Sequence, residues 1–518
     1  MASLTNPVLA VVVATLAIAI VQRLLKKTIR AAPLPPGPKG LPIIGNLRDM
    51  PEPGQEWFTF TDLAKQYGEI VHLEVFGQSI VILNSTKATT ELFDRRSSNY
   101  SDRPGTVMVN DILGWGDWII GFMPYGEFWR RHRKIFHNFF HPKAVTAYQP
   151  VQRNAIKTML KELHDTPSGF ANHVLRYTGT VILDIMYGYK VKAENDSYVS
   201  LAKEANEGFI RVAGHTFLVD LIPGLRRLPS WLPGMGSLRS AEIYKKNAFN
   251  LRDTPFELLK ASIANGTVTP CLASDILAAA DPNTDDADVL RNCAGAAYGA
   301  AADTTMSTLV TLILAMALNP EVQKKAQAEV DAALAGDSER LPDLNDMPSM
   351  PYLQSCISEA LRWRPPIPMA IPHKNINEDV YEGYSIPAGS VVLGNVWGIL
   401  HDENVYPEPE TFRPERFLTK DGNVVSQDPV STAFGFGRRI CPGKYLALNS
   451  AFLAFSSILA SYDISNPTDV NGNKLTKPVD YTTALLPLLF LLSQPPDCLQ
   501  RQIHHTLSRE GRKGYADG

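Results

Sequence analysis

The segment around Cys441 constrains this chain more than any other part of it. The segment reads FGFGRRICPGKYLA, from Phe434 to Ala447. Two glycines before the cysteine and one after it let the backbone turn sharply and approach a flat ligand closely. Arg439, two residues away, favours the ionised thiolate. An inert buried cysteine would need neither these glycines nor these arginines, so the sequence predicts a chemically active thiol.

Composition and charge are those of an ordinary globular protein. The 518 residues carry 50 Lys and Arg against 53 Asp and Glu, a net charge of -3, so no strong field indicates a nucleic-acid binder. With 45% hydrophobic and 20% charged residues, the chain is neither disordered, nor a coiled-coil rod, nor a multi-span membrane protein. The sequence shows no internal repeat and no interdomain linker, which predicts a single body.

The cysteines and histidines do not follow a metal-site spacing. Five cysteines lie far apart without a C-x-x-C pair, so neither a disulfide framework nor a zinc site is indicated. His132, His137 and His141 lie close together but lack partnering thiols or carboxylates. We therefore place these histidines on a surface helix.

An apolar run at the amino terminus predicts a membrane anchor. Residues Leu4–Val21 are apolar except at three positions, and four basic residues follow between Arg23 and Arg30. As a helix the run would span roughly 27 Å, enough for a thin bilayer such as that of the endoplasmic reticulum. The basic flank on its carboxyl side places the rest of the chain in the cytosol. We expect residues 1–30 to be a single-pass anchor in the endoplasmic reticulum membrane, with a cleaved signal peptide as the alternative.

After the anchor the pattern predicts mainly helices with a little sheet. Residues 31–46 are rich in proline and glycine and favour a stiff extended hinge. Two β-rich runs within Glu69–Ser85 predict a hairpin, and the periodicity is then mainly helical, with the longest helix at Asp286–Leu318. Strand and turn patterns return after Arg364. The expected fold class is mainly α with small β-sheets (α+β), followed by a polar tail at residues 495–518.

The residues around the cysteine resemble the haem-thiolate signature of the cytochrome P450 family, F-x-x-G-x-R-x-C-x-G. Every fixed position matches: Phe434, Gly437, Arg439, Cys441 and Gly443. The resemblance implies the P450 fold behind a single anchor helix, with residues 47–494 as the haem-thiolate catalytic domain. It also implies haem b (iron protoporphyrin IX) as the cofactor. The cysteine is then the proximal iron ligand, whose electron donation favours cleavage of the O–O bond.

Further motifs of the family occur in the order that the resemblance requires. Glu359 and Arg362 in SEALR, with Arg416 in FRPERF, resemble the family's buried Glu-Arg-Arg network. This implies a structural role beside the haem rather than a reactive one. Trp129 and Arg133 match the family's W-x-x-x-R, on a helix that faces the haem. The side chains implied to contact the haem edge and its propionates are Trp129, Arg133, His373 and Arg439.

The distal side of the haem is implied by GAAADTT, from Gly299 to Thr305. The family pattern A/G-G-x-D/E-T maps Asp303 and Thr304 onto its acid-alcohol pair, with Ala301 in place of the usual glycine. An alcohol beside a carboxylate can relay protons to oxygen bound at the iron. Enzymes that only rearrange peroxides often lack the pair, so its presence favours true monooxygenation.

The resemblance also implies the reaction partners. Two electrons come from NADPH, indirectly, through a membrane-bound NADPH-cytochrome P450 reductase. One atom of O₂ then enters the substrate and the other becomes water. Five basic residues form either the docking face for this reductase or a solvated helix surface: Arg130, Arg131, Lys134, Arg438 and Lys444.

The segments that line the pocket in the family are mainly apolar here, which predicts a lipophilic small-molecule substrate. They are Val107–Phe122, the vicinity of Phe209–Phe217, Ala294–Thr304, Pro368–Ile371 and Thr483–Leu488. Residues 360–418 are similar to fungal microsomal members of secondary metabolism, which favours a terpenoid or a related compound. Asp111, Asp117 and Asp220 could still reach a cationic substrate such as an indole amine.

Three other functions stay open on the sequence alone. The first is a haem-thiolate enzyme that rearranges or dehydrates a peroxide without a reductase. The second is an oxidase of xenobiotics. The third is a haem- or steroid-binding protein without catalytic activity.

Overall fold

The run from Asp286 to Leu318 folds into one continuous helix with the bounds that the sequence predicts. Asp286 and Asp288 lie in its first turn, where carboxylates stabilise the positive end of the helix dipole. The helix ends at Asn319, whose backbone leaves the helical conformation because it precedes Pro320. Most side chains on this helix are buried on all sides, so it forms the centre of the body.

The computed structural model describes residues 32–465, apart from residues 53, 193–195, 213–216, 222, 230, 232–235, 281–283, 336, 338, 339 and 425–428, together with residues 507 and 508. The apolar amino-terminal run, almost all of the polar tail and Thr483–Leu488 lie outside the described residues. In chain order the α-helices of the described part are α1 (Glu56–Tyr67), α2 (Thr86–Thr89), α3 (Ser97–Tyr100), α4 (Glu127–Phe140), α5 (Pro142–Val145), α6 (Gln149–Asp165), α7 (Phe170–Tyr187), α8 (Ser197–Val212), α9 (Leu218–Leu221), α10 (Gly236–Ala264), α11 (Leu272–Ala279), α12 (Asp286–Leu318), α13 (Pro320–Leu334), α14 (Pro351–Trp363), α15 (Val396–Leu400) and α16 (Lys444–Ser461). The strands of the same part are β1 (Ile70–Val75), β2 (Gln78–Leu83), β3 (His373–Lys374), β4 (Asp379–Tyr381), β5 (Tyr384–Ile386), β6 (Val391–Gly394), β7 (Asp463–Ile464) and β8 (Leu507–Ser508).

The central helix α12 is enclosed by its neighbours. Helices α4, α7, α8, α10, α14 and α16 all pack against it. Among the described residues, α12 is the one helix long and apolar enough to cross a membrane, but 78% of its apolar window is buried inside the body. Helix α12 is therefore a core helix of the body.

The predicted hairpin is present and forms half of a four-stranded sheet. Strands β1 and β2 pair antiparallel, with Ile70 opposite Leu83 and Val75 opposite Gln78. Strand β6 then pairs parallel to β2, with Ile80 opposite Val391, and β3 closes the order β1-β2-β6-β3. Mainly helical structure with small sheets confirms the predicted fold class.

The proline-rich segment ahead of the body is hydrogen-bonded to strands β1 and β5, and turns follow from Leu41 onward. The carbonyl oxygen of Pro36 accepts the amide of His72 at 2.9 Å, and that of Pro33 accepts the amide of Ser385 at 2.7 Å. Gly37 lies so close to β1 that a Cβ there would be 2.1 Å from the His72 carbonyl oxygen. From Pro33 onward the chain is therefore fixed against the body.

The histidine cluster differs from its prediction in one respect. His137 lies on α4 and His141 follows it, but His132 is fully buried, with its Nδ1 2.8 Å from the Phe128 carbonyl oxygen. The surface-helix prediction is wrong for His132, because this histidine lies on the face of α4 that packs against α12. No group of three or more His, Cys, Asp or Glu that could hold a metal ion occurs among the described residues.

Candidate active site

A cavity of about 370 Å³ lies between the middle of α12 and the loop that carries Cys441. Its walls are mainly aliphatic, aromatic and small side chains from α4, α7, α8, α10, α12, α14 and α16. Four of the five predicted pocket segments contribute to it, and the fifth lies outside the described residues. The predicted site residues that line the cavity are Trp129, Arg133, Thr304, His373, Phe434, Arg439, Cys441 and Gly443.

The loop that carries Cys441 is held by its own backbone and needs its glycines. The Cys441 amide donates to the Phe434 carbonyl oxygen at 2.8 Å. Gly435 and Gly437 have φ of 83° and 54°, in the left-handed region that favours glycine. A Cβ on Gly437 would lie 2.0 Å from the carbonyl oxygen of Phe93. The loop is thus pressed against residues far upstream, with the cysteine side chain facing the cavity.

The charge around the thiol differs from the sequence prediction. Burial raises the pKa of Cys441, so the surrounding protein alone does not favour a thiolate. The groups that oppose this rise are the backbone amides of Gly443 and Lys444 and the cationic side chains of Arg133 and Lys444. The prediction that Arg439 does this is wrong, because the loop turns its side chain elsewhere. A thiol bound to a metal ion is nevertheless deprotonated outright.

Arg439 points toward the chain between α3 and α4. Its guanidinium donates to the carbonyl oxygens of Ser101, Ile120 and Met123 at 2.7, 3.1 and 2.8 Å. It also lies over the ring of Trp129, 4.6 Å from its centroid. The cation is therefore fixed at the cavity edge by neutral partners, and no described carboxylate neutralises it directly.

Arg103 reinforces this edge and was not predicted from the sequence. It is 6% exposed, lines the cavity, and donates to the carbonyl oxygens of Gly121, Ile371 and Pro372 at 2.7, 2.6 and 2.8 Å. Its context, SDRPG, carries no periodicity or motif that could have indicated this position. Two guanidinium groups held by neutral carbonyls form a site for anionic groups such as propionates.

His373 and Trp129 complete the edge. His373 is buried, and its Nδ1 lies 2.7 Å from the Tyr100 carbonyl oxygen. Burial and the nearby Arg103 hold the pKa of His373 well below its usual range. The ring is then neutral, with Nε2 as a hydrogen-bond acceptor. An anion beside Nε2 would favour protonation of the ring, and Nε2 could then donate a hydrogen bond to that anion. The indole Nε1 of Trp129 is buried without a partner, as expected of a donor reserved for a cofactor.

The three residues of the predicted Glu-Arg-Arg network are in contact. Glu359 and Arg362 are fully buried and joined by two bonds, Nε to Oε2 at 2.7 Å and Nη2 to Oε1 at 3.0 Å. Arg416 approaches the same carboxylate at 3.4 Å, and the Arg413 amide donates to it at 2.8 Å. The network joins α14 to the loop that leads toward the cysteine.

The acid and the alcohol on α12 face different surroundings. Thr304 lines the cavity, and its hydroxyl donates to the Ala300 carbonyl oxygen at 2.9 Å. Asp303 is 5% exposed, is not part of the cavity wall, and accepts a hydrogen bond from Asn206 on α8. Burial raises the pKa of Asp303 to about 6, and the Asn206 bond opposes that rise. Asn206 was not predicted from the sequence, where nothing distinguishes it from other polar residues of its helix.

No acidic side chain is among the described residues that line the cavity. Asp111 pairs with Arg226, Asp117 is exposed, and Asp220 accepts the backbone amides of Met108 and Phe217. None of these three aspartates is among the described residues that line the cavity. Near the same wall, Trp115, Phe122 and Phe209 form an aromatic cluster with ring centroids 5.6 to 6.2 Å apart.

The five basic residues predicted to dock a reductase are partly neutralised. Arg130 pairs with Glu127 at 2.8 Å, and Arg131 pairs with Asp285 and Asp286 at 2.6 and 2.8 Å. The guanidinium of Arg438 donates to the hydroxyl of Tyr125 at 2.6 Å, and Lys444 lies over the ring of Phe434. The positive charge of this face is therefore smaller than the sequence suggests.

Together, the fold and the cavity define a helical haem-thiolate protein: a cysteine on one wall, small residues on the other, and two guanidinium groups at the edge. The family model for cytochrome P450 matches residues 35–491. The chain therefore belongs to the cytochrome P450 family, and it is an oxidoreductase of the monooxygenase type that uses haem. In this family NADPH supplies electrons through a redox-partner reductase.

Similar proteins come from fungi. The cytochrome P450 monooxygenase ple1 of Rhodocybe pseudopiperita is 42% identical over 462 residues, covering 88% of this chain and 87% of that protein. The cytochrome P450 monooxygenase eriA of Hericium erinaceus is 39% identical over 495 residues, covering 93% and 92%. A tryptamine 4-monooxygenase of Psilocybe cyanescens is 38% identical over 466 residues, covering 88% and 91%. Monooxygenase names throughout this group do not support the peroxide-rearranging alternative.

Proposed function

We propose that this monooxygenase inserts one oxygen atom of O₂ into a neutral lipophilic small molecule, such as a terpenoid of fungal secondary metabolism. The observation that carries the proposal is the cavity wall, which is mainly apolar and has no acidic side chain among its described residues. A buried cation without a partner would cost several kcal/mol, so an amine is disfavoured. The relative that acts on tryptamine makes an indole amine the second candidate.

An optical titration of the haem-loaded protein tests this choice. Neutral terpenes are expected to shift the Soret band to shorter wavelength. 3-Methylindole is expected to cause the same shift at a far lower concentration than tryptamine. The two indoles share a ring system and differ in the charged side chain, so the pair isolates the effect of charge. We expect tryptamine to bind at least about 10²-fold more weakly, which corresponds to about 2.7 kcal/mol. Equal binding of the two indoles would show that the cavity accepts the charged side chain without penalty, and would favour an indole amine as the substrate class.

The haem would be held by the residues described above. Cys441 would provide the thiolate that binds the iron, and the glycines at 437 and 443, with Phe434, shape its loop. Trp129, Arg133, His373 and Arg439 would bind the haem edge and its propionates, and Arg103 would add a further cation there. The bound haem supplies the reductive cleavage of O₂. The Glu359, Arg362 and Arg416 network supports the loop without taking part in the reaction.

Thr304 and Asp303 are proposed to deliver the protons that O₂ reduction consumes. The Thr304 hydroxyl lines the cavity, and Asp303 on the adjacent position has a pKa of about 6, suited to exchanging protons near neutral pH. Ala301 lines the cavity where the family usually has glycine, and its methyl group narrows the cavity at that point.

The variant Thr304→Ala is expected to divert NADPH into hydrogen peroxide. Product formation should fall by up to about 10²-fold, the lower end of the range typical of one positioned proton-transfer group. The control is Thr311→Ala, the same change two turns along α12 at a buried threonine outside the cavity wall. Peroxide and product are measured per NADPH consumed. An unchanged ratio in Thr304→Ala would remove the hydroxyl from the relay.

We also propose that the protein is anchored in the endoplasmic reticulum membrane, where a membrane-bound NADPH-cytochrome P450 reductase serves it. The support is the apolar run Leu4–Val21 with its basic flank. Pro33 and Pro36, which follow that segment in the sequence, are hydrogen-bonded to β5 and β1 of the body.

A further inference from the structure

Asn206 lies between the cavity and Asp303. It is 8% exposed, belongs to α8 and forms part of the cavity wall. Its side-chain amide donates to a carboxylate oxygen of Asp303, a residue 97 positions further along the chain. Asp303 does not itself line the cavity. This hydrogen bond links the cavity wall, which a substrate would contact, to the buried carboxylate of Asp303.

We propose that Asn206 is a positioning residue for oxygen insertion: it holds the Asp303 carboxylate in the orientation from which protons pass toward Thr304. The proposal rests on the proposed function, because it requires the acid-alcohol pair to act as the proton relay. An amide suits this position, since it donates to an ionised carboxylate without placing a charge beside an apolar cavity. The same amide lies on the helix that faces the substrate, so the orientation of the acid depends on the cavity wall.

The titratable groups near the acid keep their own protonation states over the working pH range: Tyr298 interacts with the charge of Asp303, and Tyr187, Tyr189 and Asp196 interact in turn with Tyr298. Burial raises the pKa of Tyr298 and Tyr187 far above neutral, and the pKa of Tyr189 is raised as well. Hydrogen bonds from backbone amides and a tyrosine hydroxyl lower the pKa of Asp196, which stays ionised. Between about pH 5 and pH 8, Asp303 is thus the group of this cluster that changes charge.

The test is Asn206→Leu, which removes the amide at similar volume. We expect the hydrogen peroxide released per NADPH to rise several-fold, both without substrate and with 7-ethoxycoumarin as a neutral probe. Loss of the Asn206 amide removes a hydrogen bond that stabilises the Asp303 carboxylate, so the pKa of Asp303 rises. The pH at which half of the coupling between NADPH consumption and product formation is lost should therefore move upward. Turnover driven by added hydrogen peroxide, which needs no proton delivery to O₂, should be little changed.

The matched control is Asn292→Leu. Asn292 lies on α12, is 5% exposed, and does not line the cavity. It is expected to leave the peroxide fraction and the pH profile unchanged. A second variant, Asn206→Asp, keeps the volume and puts a carboxylate against Asp303. It should raise the peroxide fraction too, with a larger upward shift in pH, because two adjacent carboxylates resist joint ionisation.

A double variant separates a positioning role from a merely structural one. Adding Asn206→Leu to Asp303→Asn should cause no further loss of coupling, because Asn206 acts through Asp303. Additive losses would contradict the proposal. If Asp303→Asn disturbs coupling while both Asn206 variants behave as Asn292→Leu does, the inference about Asn206 is wrong and the relay stands. If Asp303→Asn and Thr304→Ala also leave coupling unchanged, the relay itself is wrong.

Discussion

Replacing Cys441 with serine is expected to abolish the thiolate-type carbon monoxide spectrum and, with it, the monooxygenase activity. A serine hydroxyl stays protonated near neutral pH and cannot provide the electron donation on which O–O cleavage depends. The loop itself should persist, because it is held by the backbone bond from residue 441 to the Phe434 carbonyl oxygen and by its glycines. The loss should therefore be chemical, with folded protein still obtained.

Cys271→Ser provides the matched control. Cys271 caps α11, with its sulfur accepting the Ser274 amide at 3.4 Å, and serine is a good cap at such a position. This variant should retain both the spectrum and the activity. The measurement is the reduced carbon monoxide difference spectrum at equal protein concentration. A thiolate-type spectrum that survived in Cys441→Ser would show that another group binds the iron.

Replacing Glu359 with glutamine is expected to lower the thermal stability and the yield of folded protein strongly. The carboxylate is fully buried, bonds Arg362 twice and approaches Arg416, whose side chain is 6% exposed. Removing the negative charge leaves two buried guanidinium groups without a counter-ion, which costs about 3–5 kcal/mol. Since a typical domain is stable by only about 5–15 kcal/mol, this loss would remove a large part of the free energy of unfolding.

The control for this change is Glu321→Gln. Glu321 pairs with Lys324 at 3.1 Å at the same i,i+3 spacing, but both side chains are highly exposed. Such a surface pair contributes about 0–1 kcal/mol, so the control should be almost as stable as the parent protein. Thermal unfolding and the yield of haem-loaded protein measure the difference. Equal unfolding temperatures for the two variants would contradict the structural role of the buried network.

Features with a strong local pattern could be predicted from the sequence. The ends of α12 follow from aspartates in its first turn and a proline after its last, both of which act locally. The hairpin of β1 and β2 follows from two β-rich runs around a glycine. Cys441 could be found because its glycines and arginines stand at fixed spacing, and Glu359 and Arg362 because they are three positions apart, on one helix face.

The other contacts join distant parts of the chain through irregular segments. Arg439 was expected near the thiol because it is close in sequence, yet the loop directs its side chain to carbonyl oxygens between residues 101 and 123. Arg103 and Asn206 reach the site through packing of whole elements, which no local spacing encodes. The same packing buries Cys441 and raises its pKa, an effect that depends on what surrounds the residue.

The parallel pairing of β2 with β6 has a consequence for how the protein is made. Ser79 in β2 and Ser390, which precedes β6, are hydrogen-bonded across 311 positions of the chain. At about 5–20 residues per second, a ribosome needs roughly 15–60 s to synthesise the intervening residues. During that time strand β2 of the hairpin lacks its partner β6, and its edge is unpaired. The Cys441 loop, pressed against Phe93, emerges later still, so haem capture belongs to the last stage of biosynthesis.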